Sequence, residues 1–158
     1  MRVRSLMSTA VHSCTSEQTL AQAARLLWEY DVGAVPVVDA GGRPVAMITD
    51  RDICMAAYLR GAAIAEIDVA SAMSTDLFTC HVDDPLSEAE RTMMTRQVRR
   101  LPVVDDEGKL IAVLSLNDIV LARKTNAIGK VRAFLRGDVV ETLAAISRHR
   151  EGGEQAAE

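Results

Sequence analysis

The feature that most constrains this chain is an internal repeat at an offset of 66 residues. Between positions 7 and 53, 16 of 47 residues are identical to the residue 66 positions later, and no gap is needed. The matches include Met-Ser-Thr at 7–9 and 73–75, and Pro-Val-Val-Asp at 36–39 and 102–105. Two copies are too few for a solenoid, so they should pack on each other with pseudo-two-fold symmetry.

Each copy is predicted to form a strand, a helix, two strands and a second helix. In the first copy, apolar residues at helical spacing predict a helix whose N-cap is Ser16 or Thr19. They are Leu20, Ala23, Ala24, Leu27 and Trp28. The apolar runs AVPVVD and PVAMIT flank a glycine-containing turn, which predicts a β-hairpin. After Thr49 the pattern is helical again, and the second copy repeats this order. The predicted fold class is therefore α/β.

These patterns divide the chain into four parts. The first repeat is assigned to 1–60, a connecting segment to 61–72, and the second repeat to 73–124. A basic helical extension with a frayed tail is expected over 125–158. Its helix should carry a narrow stripe behind an Asp138 cap, formed by Val139, Leu143 and Ile146.

Charge bears on the classes of partner. The net charge is −4 and the pI about 5.4, which argues against a nucleic-acid partner. Positions 1–120 carry a net charge of −6, whereas positions 121–150 carry +5. The basic segment, over 125–150, can meet an acidic protein partner or the acidic body of its own chain.

The compartment expected from the sequence is the cytoplasm. Three cysteines do not make a secreted disulfide framework, and no run approaches the ~18 apolar residues of a membrane span. The first residues also lack the apolar stretch of a signal peptide. No membrane association is expected.

Two strand-to-helix junctions carry a hydroxyl and a carboxylate three residues apart. These pairs are Thr49 with Asp52 and Ser115 with Asp118. A carboxylate in this position can accept both hydrogens of a ribose diol, and a helix N-terminus can hold a phosphate. The alternative is that Thr49 and Ser115 are only N-caps, with the aspartates complementing the helix dipole.

The repeated unit resembles the CBS (cystathionine β-synthase) domain, and the pair resembles a stand-alone Bateman module. The resemblance rests on MST, on AVPVVD and RLPVVD, and on VAMITDRDI and IAVLSLNDI, each pair in the same order and spacing. It covers about 7–124. It implies two βαββα units that face each other across a cleft and commonly pair into a homodimer, with the hydroxyl-x-x-Asp element contacting the ribose of an adenine nucleotide.

The resemblance also implies composite sites that draw on both repeats. One site would combine Thr49 and Asp52 with Arg99 and Asn117. Arg100 would be a helper for phosphate, without assignment to one of the two sites. The other reading of Arg100 is an exposed charge at a strand edge.

The second composite site implied by the resemblance would combine Ser115 and Asp118 with Arg51 and Gly33. Adenine would lie against apolar strand atoms, for which Met47 and Val113 are the candidates. Ala46 and Ala112 stand where the family often has glycine, which would tighten the approach of the backbone to the ligand.

The function expected from these features is a non-enzymatic regulatory module that binds an adenine nucleotide and signals by a population shift. The sequence contains none of the common catalytic motifs, such as a phosphate-binding glycine loop or a nucleophile elbow. No cofactor is required, and the sequence does not distinguish AMP, ADP, ATP, NAD and S-adenosylmethionine. Replacing Asp52 or Asp118 by alanine is expected to remove one binding event and leave the fold intact.

Two other functions remain open at this stage. Pseudo-symmetry could gather a thiol or zinc switch from His12, Cys14, Cys80 and His81. Alternatively, the chain is a ligand-free interaction module that dimerises through its aromatic residues Trp28, Tyr30 and Tyr58 and docks to another protein through 125–150.

Overall fold

The computed structural model describes residues 1–125 together with Thr142. The expectations for the C-terminal extension, including the Val139 stripe and the Asp138 cap, lie outside the described residues. Within the described part, none of the helices combines the length and apolar character needed to cross a membrane.

The order of elements confirms the α/β fold and its duplication. The first repeat contains α1 (Leu20–Glu29), β1 (Ala34–Val38), β2 (Pro44–Thr49) and α2 (Asp50–Arg60). The second contains β3 (Cys80–His81), α3 (Leu86–Arg96), β4 (Arg100–Val104), β5 (Leu110–Ser115) and α4 (Leu116–Thr125). Short 3-10 turns lie at Val3–Ser5, Ile64–Glu66 and Val69–Ser71. The predicted opening strand of the first repeat is reduced to a single bridge between Cys14 and Val37.

The two hairpins form at the positions predicted from the sequence. β1 pairs antiparallel with β2, and β4 pairs antiparallel with β5. In the first turn the Asp39 carboxylate accepts the backbone N–H of Arg43 at 2.9 Å, and Asp105 does the same for Lys109 at 2.8 Å. Gly42 has a φ of +77°, a conformation that glycine adopts without steric cost.

Each repeat has its own hydrophobic core. The core of the first repeat includes Leu20, Val37 and Ile48, and α1 begins at a capping box in which Thr19 and Gln22 bond each other. The core of the second repeat includes Met93 and Leu114 among its fully buried residues.

Two equivalent segments, 1–9 and 67–75, lie ahead of the first helix of each repeat, and each packs in the core of the opposite repeat. We call them the leading segments. Val3 lies at the start of the first repeat but is fully buried in the core of the second, where its N–H donates to the Asp84 carbonyl at 3.0 Å. Val69 precedes the second repeat but is fully buried in the core of the first, where its N–H donates to the Gln18 carbonyl at 2.8 Å. Both pairs are related by the offset of 66, so the exchange is reciprocal.

The exchange extends the repeat upstream of Met7, where the sequence comparison began. Val3 matches Val69 and Ser5 matches Ser71 at the same offset. Part of the predicted connecting segment 61–72 is thus the counterpart of the chain's first residues, a relationship that the boundaries drawn from the sequence do not express.

Each leading segment then runs along the last strand of the opposite repeat. Ser8 exchanges two backbone hydrogen bonds with Val113 on β5, at 2.9 and 3.1 Å. Ser74 does the same with Met47 on β2, at 2.9 and 3.2 Å. Both strands end at a hydroxyl-x-x-Asp junction, so each junction lies beside backbone from the other repeat.

The two hairpin turns also meet. The Leu110 N–H donates to the Gly42 carbonyl at 3.0 Å, and Arg43 Nε donates to the Glu107 carbonyl at 3.2 Å. The symmetry-related backbone bond is impossible because Pro44, the counterpart of Leu110, has no N–H. This contact therefore departs from the pseudo-symmetry that the leading segments follow.

Truncating Val3 tests the exchange of the leading segments. Val3→Ala should lower the free energy of unfolding by about 2 kcal/mol, because it removes buried methyl groups from the second core. Urea unfolding followed by circular dichroism measures this. Ser5→Ala, an exposed residue in the same turn, is the control and should change stability little. Equal, near-zero effects of the two substitutions would contradict the docking of residues 1–6 on the second repeat.

Candidate functional site

The junction between β2 and α2 is organised by a capping box. The N–H and the hydroxyl of Thr49 donate to Asp52 Oδ2 at 2.9 and 2.7 Å, and the Asp52 N–H donates to Thr49 Oγ1 at 3.1 Å. These bonds satisfy backbone donors that would otherwise be orphaned at the start of the helix. They also hold the Asp52 carboxylate in one orientation.

The junction between β5 and α4 has the same arrangement. The N–H and hydroxyl of Ser115 donate to Asp118 Oδ2 at 2.8 and 2.6 Å, and the Asp118 N–H donates to Ser115 Oγ at 3.2 Å. The alternative interpretation of these residues as N-caps is therefore correct as far as local structure is concerned.

Capping leaves half of each carboxylate available. All of the hydrogen bonds that reach the Asp52 and Asp118 side chains within the described residues go to Oδ2. Both side chains are half-buried. Oδ1, which has further acceptor capacity, can thus accept hydroxyl hydrogens from a bound diol while Oδ2 keeps the cap intact.

One residue of each strand shares a face with the hydroxyl residue of the junction. Met47 and Val113 lie two residues before Thr49 and Ser115, and therefore on the same face of their strands. Both are half-buried. The backbone of the leading segment of the opposite repeat pairs with each of them.

Sequence reasoning did not assign Ser8 and Ser74 to the sites, although the structure places them beside these strands. The repeated Met-Ser-Thr motif was the signal that could have found them. Its recurrence was used only to define the repeat, and its pairing partner becomes evident only from the exchange of segments.

Arg100 is placed between the repeats. A Cβ built on Gly33 would lie 3.2 Å from Arg100 Nη2 and 3.7 Å from Asp50 Oδ2. Asp50 directly follows Thr49, so Gly33 and the Arg100 guanidinium both lie close to the first-repeat junction. This differs from the second site, to which the resemblance assigned Gly33. The Arg100 side chain is half-buried, in contrast to the exposed strand-edge charge considered from the sequence.

The other residues predicted to bind phosphate have exposed side chains. Arg51 and Asn117 follow their strands at equivalent positions, and Arg99 precedes β4. The Arg99 carbonyl accepts the Leu116 N–H at 2.9 Å and so ties the start of β4 to the start of α4. A role of these three side chains in binding a ligand stays a prediction.

The two cysteines of the proposed thiol or zinc site lie apart, in separate hydrophobic cores. Cys14 is buried in the first and Cys80 in the second. Burial raises the pKa of Cys14 to about 11. Burial, with a smaller contribution from the negative charge of Asp84, raises the pKa of Cys80 to about 12. Both thiols therefore stay protonated at neutral pH, which disfavours metal binding and nucleophilic attack.

The histidines of that hypothesis have other contacts. His12 stacks on Tyr30 with ring centroids 3.3 Å apart, and His81 Nε2 lies 3.0 Å from Asp106 Oδ1. In the part of the chain that the structure describes, no group of three or more His, Cys, Asp or Glu side chains is arranged to hold a metal ion. The structure thus does not bring the predicted quartet together.

Thiol reactivity tests this arrangement. At pH 8 the native protein should present one fast thiol to an aromatic disulfide reagent, namely Cys54, whose side chain is exposed. Cys14 and Cys80 are buried, and their raised pKa values keep the thiols protonated, so both should react only on unfolding. Cys54→Ser should remove the fast phase. A fast phase that persists in this variant would contradict the inert environment of the two buried thiols.

The family model for the CBS domain matches residues 3–58 and 65–124, which are the two repeats with their leading segments. The chain belongs to the CBS domain family. The CBS domain-containing protein YhcV of Bacillus subtilis is 34% identical over 124 residues, covering 78% of this chain and 86% of the relative. This agrees with the resemblance inferred from the repeated motifs.

Solved structures of CBS domain pairs share the fold. One is the CBS domain pair of protein MJ0100 in complex with 5′-methylthioadenosine and S-adenosyl-L-methionine. It has a TM-score of 0.70 and 23% identity, over 79% of this chain and 97% of that one. Another is CBSX2 in complex with AMP, with a TM-score of 0.66 and 25% identity, over 78% of this chain and 96% of that one. Both of these CBS domain pairs are in complex with adenosine-containing compounds.

Proposed function

We propose that this protein is a non-enzymatic regulatory module that binds an adenosyl ligand in the clefts between its CBS repeats. The observation that carries the proposal is the duplicated junction, in which a capped and half-buried aspartate keeps one carboxylate oxygen available. The adenosyl ligands of the similar CBS pairs support the ligand class. The expected compartment is the cytoplasm, and no cofactor is needed for this role.

In the proposed complex, Oδ1 of Asp52 or Asp118 accepts the hydrogens of the ribose hydroxyls. The oriented carboxylate requires no rearrangement, since the capping box already holds it. Adenine lies against the apolar side chain of Met47 in one cleft and Val113 in the other. Phosphate, where the ligand has one, is the partner of the arginines near the junctions.

Ligand binding would change the relative placement of the two repeats. Each cleft is bounded by a strand of one repeat and by the leading segment of the other, so a bound ligand contacts both. A ligand that binds one relative placement better than another shifts the population toward it. In this proposal, a protein partner that binds residues 125–150 responds to that shift.

Isosteric replacement of the aspartates tests this assignment. Asp52→Asn and Asp118→Asn should each remove one AMP-binding event in calorimetric titration, and the double variant should bind none. Asparagine keeps one oxygen for the cap, but its amide group donates where Oδ1 accepts. These variants are preferable to alanine, because alanine also removes the acceptor of the Thr49 or Ser115 N–H and should lower stability by about 1 kcal/mol.

The charge-matched control for this titration is Glu88→Gln. Glu88 is exposed on α3 and lies outside both junctions and both leading segments, so AMP binding should not change. Full AMP binding by the Asp52→Asn/Asp118→Asn double variant would refute the proposed site.

We also propose that the module is a homodimer, because α2 presents an apolar face to solvent. Tyr58 is 79% exposed and Leu59 is 74% exposed, and Met55, also exposed, lies on the same face. Trp28, near the end of α1, is 87% exposed. A cluster of large apolar side chains of this kind is typical of an association surface.

Tyr58→Glu and Leu59→Glu should each weaken the dimer at least tenfold, because a charge would be buried against apolar side chains. Sedimentation equilibrium over a range of concentrations measures this. Ala40→Glu is the control, because it adds the same charge at the hairpin turn, where the second repeat naturally has Asp106. A wild-type chain that stays monomeric at high micromolar concentration would refute the homodimer.

A further inference from the structure

We infer that the two clefts differ in the charge of the ligand they prefer. The first-repeat cleft, at Thr49 and Asp52, prefers an adenosyl ligand that carries an anionic group. The second-repeat cleft, at Ser115 and Asp118, binds adenosyl ligands with and without such a group about equally well. This inference rests on the proposed function and specifies the ligand class of each cleft.

The first observation is the position of Arg100. Its half-buried guanidinium lies over Gly33 and faces the start of α2, where it would be 3.2 Å from a Cβ at position 33. Asp50 is the nearby counter-charge, but no ion pair joins it to Arg100. Among the described residues the guanidinium also has no hydrogen-bond partner. A partly desolvated arginine without a partner retains all of its donors for a phosphate or carboxylate.

The second observation is that the repeat-equivalent position carries no charge. Arg100 corresponds to Ala34, which is 9% exposed. The two residues inside the second junction, Leu116 and Asn117, are also uncharged, and Leu116 is buried. The counterparts in the first junction are Asp50 and Arg51. Both junctions thus have the aspartate that is proposed to bind ribose, whereas the charges around the two aspartates differ.

Arg51 was assigned to the second cleft on the basis of the resemblance alone. In the structure its side chain is exposed on α2, and it forms no hydrogen bond or ion pair with the described residues of the second repeat. The experiment therefore includes this residue as a separate arm.

The size of the preference is limited by Asp50. A bidentate guanidinium contact to an anionic group is strong, but the Asp50 carboxylate near Arg100 opposes an anion. We expect AMP to bind the first cleft about tenfold more tightly than adenosine at moderate salt. The second cleft should bind both about equally, and the preference of the first cleft should fall as salt is raised.

The experiment isolates each cleft with an aspartate variant and compares two probes, AMP and adenosine, by calorimetry. Asp118→Asn leaves the first cleft, and Asp52→Asn leaves the second. In the Asp118→Asn background, Arg100→Gln should abolish the preference for AMP over adenosine. Arg91→Gln, an exposed residue on α3, is the control and should preserve the preference. Circular dichroism checks that each variant is folded.

Four outcomes would overturn the inference. One is an equal preference for AMP in both clefts, and another is a preference that survives Arg100→Gln. The third is a preference of the second cleft for AMP that Arg51→Gln removes, since it would place the cation of that cleft on α2. Binding of both probes without any preference would refute the inference but leave the proposed function standing. Binding of neither probe to the wild-type protein would refute the proposed function itself.

Discussion

The exchange of leading segments is the constraint on which the rest of the structure depends. Val3 and Val69 are each buried in the core of the repeat they do not belong to, so neither core is complete without the other repeat. Five residues after each valine, Ser8 and Ser74 pair with the last strand of the opposite repeat. As a result, the relative position of the repeats is set by core packing as well as by surface contacts, and the two hydroxyl-x-x-Asp junctions occupy equivalent positions.

The junction aspartates show how a structural and a functional role can share one side chain. Oδ2 is used to cap the helix, and this bond determines where Oδ1 lies. A carboxylate that is fixed before the ligand arrives loses little conformational entropy on binding. The sequence alone could not distinguish capping from ligand recognition, because both roles use a hydroxyl residue followed three residues later by an aspartate.

Local signals made much of this fold predictable from the sequence, whereas long-range packing did not. The hairpin turns and the helix caps depend on neighbouring residues. The turns form as predicted, Thr19 rather than Ser16 caps α1, and Thr49 and Ser115 form the caps that the alternative interpretation described. The exchange was missed because few identities upstream of Met7 mark it, and because the core that a segment joins depends on contacts far away in the chain. Arg100 lies over Gly33 for the same kind of reason. The zinc hypothesis failed because each cysteine packs in the core of its own repeat.

The most direct test of the account is a titration of the isotope-labelled protein with adenosine, followed by amide nuclear magnetic resonance. The backbone N–H groups of Thr49, Asp52, Ser115 and Asp118 all take part in the capping boxes, so they report directly on both carboxylates. The account predicts that these four resonances, together with those of Ser8 and Ser74, show the largest shifts and saturate with the ligand. Saturable shifts confined to other parts of the chain, or no shifts at millimolar adenosine, would contradict it.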